Sequence, residues 1–323
     1  MQVCIELIGR AGRARAFLPF LLLVQYCISR CREAAMVAKR CAGEREGSAG
    51  LSSSVRMAMA SCTSAVAPRC VHERCYTTLV FRSNQSASAS PVQDAMLQLW
   101  LRRMRRFTAL PIVVMHANVP SPRRLMNATA LRLQLHRVGL LVVDPPGTLP
   151  WYKEQYTKLH AWSLPCRQVA YFDYDGFPLR NMDTIFDECG DAPFCAVADT
   201  MTPINPKYRG RYFNGGVLVL RPSATTYAHL LSEAEVDARG RRARWYAEQG
   251  FLNTHYRNWS HLPAGYNVMG VSVGQRVQPA RDYFVHEKFY KLGPRQRRAL
   301  DLESEGLVSV DVKGRAAAGA GRA

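Results

Sequence analysis

Two carboxylates one residue apart close an apolar run in this chain, Tyr171-Phe172-Asp173-Tyr174-Asp175. In an extended segment, residues i and i+2 face the same side. Side chains of Asp173 and Asp175 would then repel unless something positive lay between them. A divalent cation takes hard oxygen ligands of this kind and also binds phosphate oxygens. The plain alternative for so short a motif is a pair of solvated loop acids. What decides between the two is where the pair sits in the fold.

The surrounding elements read as a doubly wound α/β domain. Thr77–Phe81 is a short β-rich run, and Pro91–Phe107 carries Val92, Met96, Leu99 and Met104 near helical spacing, with Arg on the other side. Pro111–Met115 and Leu140–Val143 read as a second and a third strand, with Pro122–His136 as a helix between them. Tyr156–Leu164 reads as a further helix and Val169–Phe172 as a fourth strand. Strands alternating with helices imply parallel pairing by right-handed crossovers. Ligands of such sheets bind beyond the carboxyl ends of the strands, and Asp173 stands at one of those ends.

Composition bounds the rest. The chain has 323 residues, 48% of them apolar, enough for one large α/β domain. Its formal net charge of +18 favours anionic partners such as nucleotides, phosphates or acidic glycans, although much of the excess is solvated Arg. No base-reading module is present, which argues against a nucleic-acid partner. Three parts are expected: a leader over residues 1–74, a folded domain over 75–294, and a low-complexity tail over 295–323. In the leader, Ala16–Ile28 is apolar and flanked by Arg, which suits a signal segment or a short N-terminal membrane anchor better than a full span. A Golgi or ER lumenal location follows from that reading; an Arg- and Ser-rich leader also fits a plastid transit peptide, and the cytoplasm remains a third option. Asn84-Gln85-Ser86, Asn127-Ala128-Thr129 and Asn258-Trp259-Ser260 match the acceptor pattern for N-linked glycans. Seven of the ten cysteines precede residue 76, and no CxxC pair exists, so a zinc site is not expected. Cys189 and Cys195 read equally well as a disulfide or as buried thiols.

Five segments in order resemble glycosyltransferase family 8, the glycogenin-like retaining enzymes. They are Tyr156–Trp162, the Asp173-Tyr174-Asp175 motif with Leu179, Asn181 and Ile185-Phe186 after it, Phe213-Asn214-Gly215-Gly216-Val217, Glu248–Asn253, and Val285-His286 followed by Lys291. The resemblance implies a GT-A type domain, a Rossmann-like mixed sheet with helices on both faces. It implies transfer of a hexose from a UDP-sugar, with retention, to a glycan, protein or lipid acceptor that the residues do not identify. Asp173, Asp175 and His286 would ligate Mn2+ or another divalent cation. Lys158 and Lys291 would face phosphate oxygens, with Tyr174 beside them, while Leu79 and Phe81 would lie near the base. Asn214 and Gly215 would line the sugar pocket, with Gln249 and Glu248 beside the donor sugar.

Several residues depart from the family's pattern. Glu248 stands where an aspartate is usual, Tyr174 where a small residue is usual, and Gly176 where a hydroxyl residue is usual. Lys291-Leu292-Gly293-Pro294 replaces Lys-Pro-Trp. These departures leave open a weak or inactive relative that binds nucleotide-sugar or glycan without turnover. Neither oligomeric state nor donor sugar is legible in the sequence.

Overall fold

β-branched and aromatic residues crowd the first strand because both of its faces are buried. In β1 (His72–Phe81), Cys75, Thr77 and Leu79 face one side of a sheet while Tyr76, Thr78 and Val80 face the other, and all six are buried. A strand covered on both faces reads as a continuous apolar run rather than an alternating one. The structure, a computed structural model, describes residues 71–82, 91–143, 150–201, 210–238 and 247–302. These lie in one unit of the chain, Val66–Ala323; the other, Met1–Ala65, falls outside the described residues, and with it the expected signal segment.

After β1 come α1 (Pro91–Phe107), β2 (Ile112–Ala117), α2 (Pro122–Leu125), β3 (Leu133–Arg137), a 3-10 segment (Pro150–Ser163) and β4 (Cys166–Phe172). Then follow β5 (Phe177–Pro178), α3 (Ile185–Cys189), β6 (Phe194–Ala198), β7 (Phe213–Leu220), α4 (Ala224–Ala238), α5 (Ala247–His255), β8 (Ser260–His261), β9 (Phe284–Val285) and α6 (Pro294–Ala299). Seven strands form one sheet in the order β3-β2-β1-β4-β7-β6-β8. β1 is parallel to β2 and to β4, whereas β7 is antiparallel to β4 and β6. Strand order reverses between β1 and β4, the place where open α/β sheets leave a crevice. β5 and β9 form a separate antiparallel pair, Phe177 opposite Val285.

Core residues fill both faces, as the mixed-sheet expectation requires. One cluster joins Leu79, Met115, Tyr171 and Leu218 to Tyr156, Leu159 and Trp162 of the 3-10 segment and to α4 and α5. Here Trp162 stacks against Phe194 and Tyr256 and donates its indole N–H to the Tyr256 hydroxyl at 2.8 Å. The opposite cluster joins Tyr76, Val80 and Phe172 to Leu97, Trp100 and Met104 of α1 and to α3. A third packs Met96 and Leu99 of α1 against Phe177, Val285, Leu300 and Leu302. Because α1 has the sheet on one side and the β5–β9 lobe on another, its Arg103 is buried, donating to the carbonyls of Pro178, Leu300 and Asp301. Packed structure thus runs from β1, which starts at His72, to the buried Leu302, somewhat beyond 75–294 at each end.

Three segments differ from the sequence reading. Pro122–His136 is not one helix: α2 stops at Leu125, and Asn127 (φ 48°) and Arg132 (φ 51°) adopt left-handed backbone that a right-handed helix cannot include. The third strand is therefore Leu133–Arg137, not Leu140–Val143. The Leu140–Val143 run gives its amides to the 3-10 segment instead, Leu141 to the Thr157 hydroxyl and Val143 to the Lys153 carbonyl. Tyr156–Leu164, read as a helix, is largely the 3-10 segment. Among the described residues, no helix is long and apolar enough to cross a membrane.

All four cysteines of the described residues are paired. Cys75 of β1 bridges Cys166 of β4 across 91 positions of sequence, and Cys189 bridges Cys195. Cys75, the last of the seven cysteines before residue 76, lies in the core through the pairing of β1 with β4. Closing a long loop restricts the unfolded chain more than closing a short one. Cys75→Ala/Cys166→Ala is expected to lower stability by about 2–5 kcal/mol, and by more than Cys189→Ala/Cys195→Ala, in urea denaturation followed by circular dichroism. Equal midpoints for the two double variants would contradict this.

Candidate metal and sugar site

The site begins where β4 ends. Asp173 follows the last residue of β4, and its amide donates to the Gly216 carbonyl at 2.8 Å, so β7 fixes its height. Tyr171, two residues earlier on the same face, donates its hydroxyl to Asp173 Oδ1 at 2.6 Å. Asp175 stands in the turn that follows, two residues before β5. His286 comes directly after β9. The β5–β9 ladder therefore carries Asp175 and His286, 111 positions apart, to a Nε2···Oδ1 distance of 3.1 Å. One ligand atom each from Asp173, Asp175 and His286 lies within 4.8 Å of the others.

Two glycines make this approach possible. A Cβ at Gly216 would fall 2.1 Å from His286 Cε1, so the imidazole rests on bare backbone. A Cβ at Gly176 would fall 2.5 Å from the Phe284 ring, and the chain has no room there for the hydroxyl side chain that the family pattern would put at this position. Behind the ring sits Asn267, buried, its Oδ1 3.0 Å from His286 Nδ1 while its Nδ2 donates to Asn214 Oδ1 at 3.1 Å. With the amide nitrogen committed to Asn214, the amide oxygen faces Nδ1 and holds the ring proton there. Nε2 is thereby turned to the carboxylates.

Charge sharpens the picture. Burial pushes Asp175 up, but the His286 charge and hydrogen bond, helped by Lys288 and Lys158, outweigh it and hold the carboxyl at about 2. Burial pushes His286 down, and the facing Asp175 outweighs it, so the ring titrates above 6.5. The stability contributed by the protonated ring is complete below 6.5 and is lost as pH rises through the raised value. That contributed by Asp175 is present above 3.8 and is lost as pH falls through about 2. Because Asp175 is 34% exposed, the pair is partly screened by solvent.

Lys158 occupies a different place from the one expected of it. The side chain is 4% exposed, and its ammonium lies 2.8 Å from Glu248 Oε1, 2.9 Å from the Gly215 carbonyl and 3.4 Å from Asp173. An ammonium has three N–H donors, and these three acceptors take them. Burial lowers its pKa, yet the two carboxylates win and raise it. Glu248 opens α5, and its second oxygen, Oε2, is buried with no hydrogen-bond partner among the described residues. An orphaned buried acceptor calls for an explanation.

Gln249 and Asn214 converge on a residue the sequence reading missed. Asp199, 3% exposed, follows β6 and accepts from Gln249 Nε2 at 2.9 Å, Asn214 Nδ2 at 3.3 Å and the Met201 amide at 2.9 Å. Gln249 Oε1 takes the Gly215 amide at 2.8 Å. The signal was available: Asp199 ends an apolar strand, as Asp173 does. Asn267 carried no such signal, since its role depends on a ring 19 positions later.

The remaining expected residues stand at the margins. Leu79 is core, and Phe81 packs against the same cluster at the end of β1. Tyr174 packs between the second and third core clusters, where burial pushes its hydroxyl to about 12. Lys291 is 52% exposed and pairs with Glu287 at 3.8 Å, whereas Lys288 bears on Asp175.

The donor set fits a hard divalent cation. Asp173, Asp175, Asp199 and Glu248 bring four carboxylates to one region against Lys158 and a histidine whose Nε2 is aimed by its neighbour. Carboxylate oxygens with one imidazole suit manganese or magnesium better than a thiophilic metal.

No protein-family model matches the chain. Human glycogenin-1 is 34% identical over 129 residues, covering 36% of this chain and 31% of that protein. Human glycogenin-2 is 35% identical over 123 residues, covering 35% and 21%. Galactinol synthase 5 of Arabidopsis thaliana is 26% identical over 156 residues, covering 38% and 44%. The chain thus spans between 21% and 31% of the length of the two human glycogenins. Among solved structures, the galactosyltransferase LgtC in complex with donor and acceptor sugar analogs superposes with a TM-score of 0.51 at 14% identity, covering 74% of this chain and 98% of that one. Over about a third of its length the chain is similar in sequence to glycogenin and galactinol synthase, and its fold is that of a GT-A glycosyltransferase.

Proposed function

We propose that the domain transfers a hexose from a UDP-sugar, with retention, to an acceptor hydroxyl, and that it depends on Mn2+ or a similar cation. The observation that carries this reading is the convergence of Asp173, Asp175 and His286 at the carboxyl end of β4. Relatives named glycogenin and galactinol synthase support glycosyl transfer in general.

In this reading the bond from the anomeric carbon to the diphosphate breaks as the bond to the acceptor oxygen forms, and the hydroxyl proton leaves toward the departing phosphate. When bound, the cation supplies the positive charge that a departing diphosphate needs. Asp173, Asp175 and His286 would hold it, with Asn267 accepting from Nδ1 so that Nε2 is the nitrogen that gives up its proton to a cation. Lys158 acts from behind, tying Asp173 to Glu248 instead of reaching the phosphates itself. Glu248 holds the Lys158 ammonium beside the Gly215 carbonyl, so its part is to fix that corner of the site. Asp199 pins the Asn214 and Gln249 amides, so the wall of a sugar pocket is set before a donor arrives. Lys291 would meet a phosphate once released from Glu287.

A panel of nucleotide-sugars with and without Mn2+, scored for release of nucleoside diphosphate, tests the reading. Asp173→Asn/Asp175→Asn is expected to reduce metal-dependent release by about 100-fold or more. Unchanged release would falsify the assigned site, and donor binding without any release from the parent protein would favour a non-catalytic relative.

The raised pKa of His286 adds a pH signature. A proton held on the ring by Asp175 competes with the cation, so Mn2+ affinity should weaken as pH falls from about 8 to about 5. Calorimetric titration at several pH values would show this; a flat profile would remove His286 from the ligand set. Gly216→Ala should displace the imidazole and weaken Mn2+ by about 10–100-fold, with the near-ultraviolet spectrum of the fold retained. Full affinity in that variant would show that the ring need not lie on Gly216.

A further inference from the structure

Glycosyl transfer leaves two features of the molecule unused: its cysteines and its Asn-X-Ser/Thr triplets. Every cysteine of the described residues is in a disulfide, one of them joining neighbouring strands in the core. Disulfides of this kind form and persist in oxidising compartments, not where glutathione keeps thiols reduced.

The triplets are placed with equal consistency. Asn84-Gln85-Ser86 falls outside the described residues. Asn127 and Thr129 are both exposed, in a turn where Asn127 takes φ 48°, a backbone that asparagine tolerates. The Leu133 amide, at the start of β3, returns to the carbonyl of Ala128 at 2.8 Å, so this turn abuts the first residue of that strand. Asn258 and Ser260 are exposed as well, and Ser260 opens β8. β3 and β8 are the two edge strands of the seven-stranded sheet. Both run parallel to their neighbours, β3 to β2 and β8 to β6. Each triplet therefore sits at the starting end of an edge strand, whereas Asp173 and Asp199 follow the finishing ends of β4 and β6. A bulky polar group at either asparagine would shield an open strand edge, a known liability, and would stay clear of the metal and sugar site.

We infer that this domain matures in the oxidising lumen of the secretory pathway and carries N-linked glycans on Asn127 and Asn258, at the two edges of its sheet. At each asparagine a bond forms between the side-chain amide nitrogen and the anomeric carbon of a lipid-diphosphate-linked oligosaccharide. The bond from that carbon to the diphosphate oxygen breaks, the diphosphate leaves as the anion, and the amide gives up one proton. At each disulfide, two thiols lose two protons and two electrons to an exchanging disulfide of the compartment.

Peptide mapping of the full chain isolated from its own cells tests the inference, with free thiols alkylated before unfolding. The expected result is a Cys75 peptide linked to Cys166, a Cys189 peptide linked to Cys195, and Asn127 and Asn258 peptides recovered only after amidase release of the glycan. Thr129→Ala and Ser260→Ala, which keep the asparagines, should each remove one glycan from the mass of the intact chain. Occupancy at either asparagine supports lumenal passage. Both asparagines unmodified, or all four cysteines alkylated, would overturn it. None of these readouts depends on sugar transfer, so the compartment and the activity succeed or fail separately.

Discussion

Everything at the candidate site depends on one closure: the imidazole of His286 resting against the backbone of Gly216. The β5–β9 pair is only two residues long on each strand, yet it holds two ligands at its ends, Asp175 on the way in and His286 on the way out. A ladder so short has little stability of its own. Its register is fixed from outside, by Phe177 and Val285 in the third core cluster and by Phe284 against the face of Gly176. The same cluster recruits α1 and the chain as far as Leu302, which explains why packed structure continues past the last chemical residue. The lobe below the sheet exists, in effect, to bring one histidine back to one aspartate.

Around that closure the charges form a single connected system. Lys158 is the only ammonium among the described residues buried to this degree, and it compensates Asp173 and Glu248 at once. A buried charge is tolerable only when paired and hydrogen-bonded, so removing any one of the three leaves the others exposed to the cost of desolvation. Seen this way, Glu248 in place of an aspartate is a matter of reach. The extra methylene brings Oε1 to 2.8 Å from Nζ, while Oε2 stays buried without a partner among the described residues. Four carboxylates against one lysine and one titrating histidine leave an excess of negative charge, and that excess is what a divalent cation would relieve.

Much of this was legible before the structure. Strand ends are recognisable in one dimension, because an apolar run followed by a carboxylate is a local pattern; Asp173 and Asp175 were found that way, and Asp199 was within reach of the same rule. The family resemblance singled out Asn214, Gly215 and Gln249, and the structure brings them together beside Asp199. What failed was whatever depends on contact between distant segments. Lys158 looks like a phosphate ligand until Glu248 and the Gly215 carbonyl arrive from 90 and 57 positions away. Cys75, at the first residue of the expected domain, shows no partner until β1 pairs with β4 and brings Cys166 beside it. The run Leu140–Val143 has the composition of a strand, but the 3-10 segment takes its amides first, and the true strand is the less apolar Leu133–Arg137. Composition sets what a segment prefers; competition for its backbone groups decides what it becomes.

The two departures inside the acidic motif now explain one another. Tyr174 is too large to point at a ligand pocket, and it does not: it packs back between the second and third core clusters, near the ion pair of Arg82 and Asp94. A large side chain anchored there fixes the turn from behind. Gly176, two residues on, has no side chain because Phe284 fills that space from β9. The turn is thus packed by a tyrosine on one side and by a phenylalanine from the facing strand on the other. Asp173 and Asp175 are left as the residues of this turn whose side chains turn toward His286. Packing on both sides of the turn thereby fixes the mutual geometry of its carboxylates, on which any metal chemistry rests.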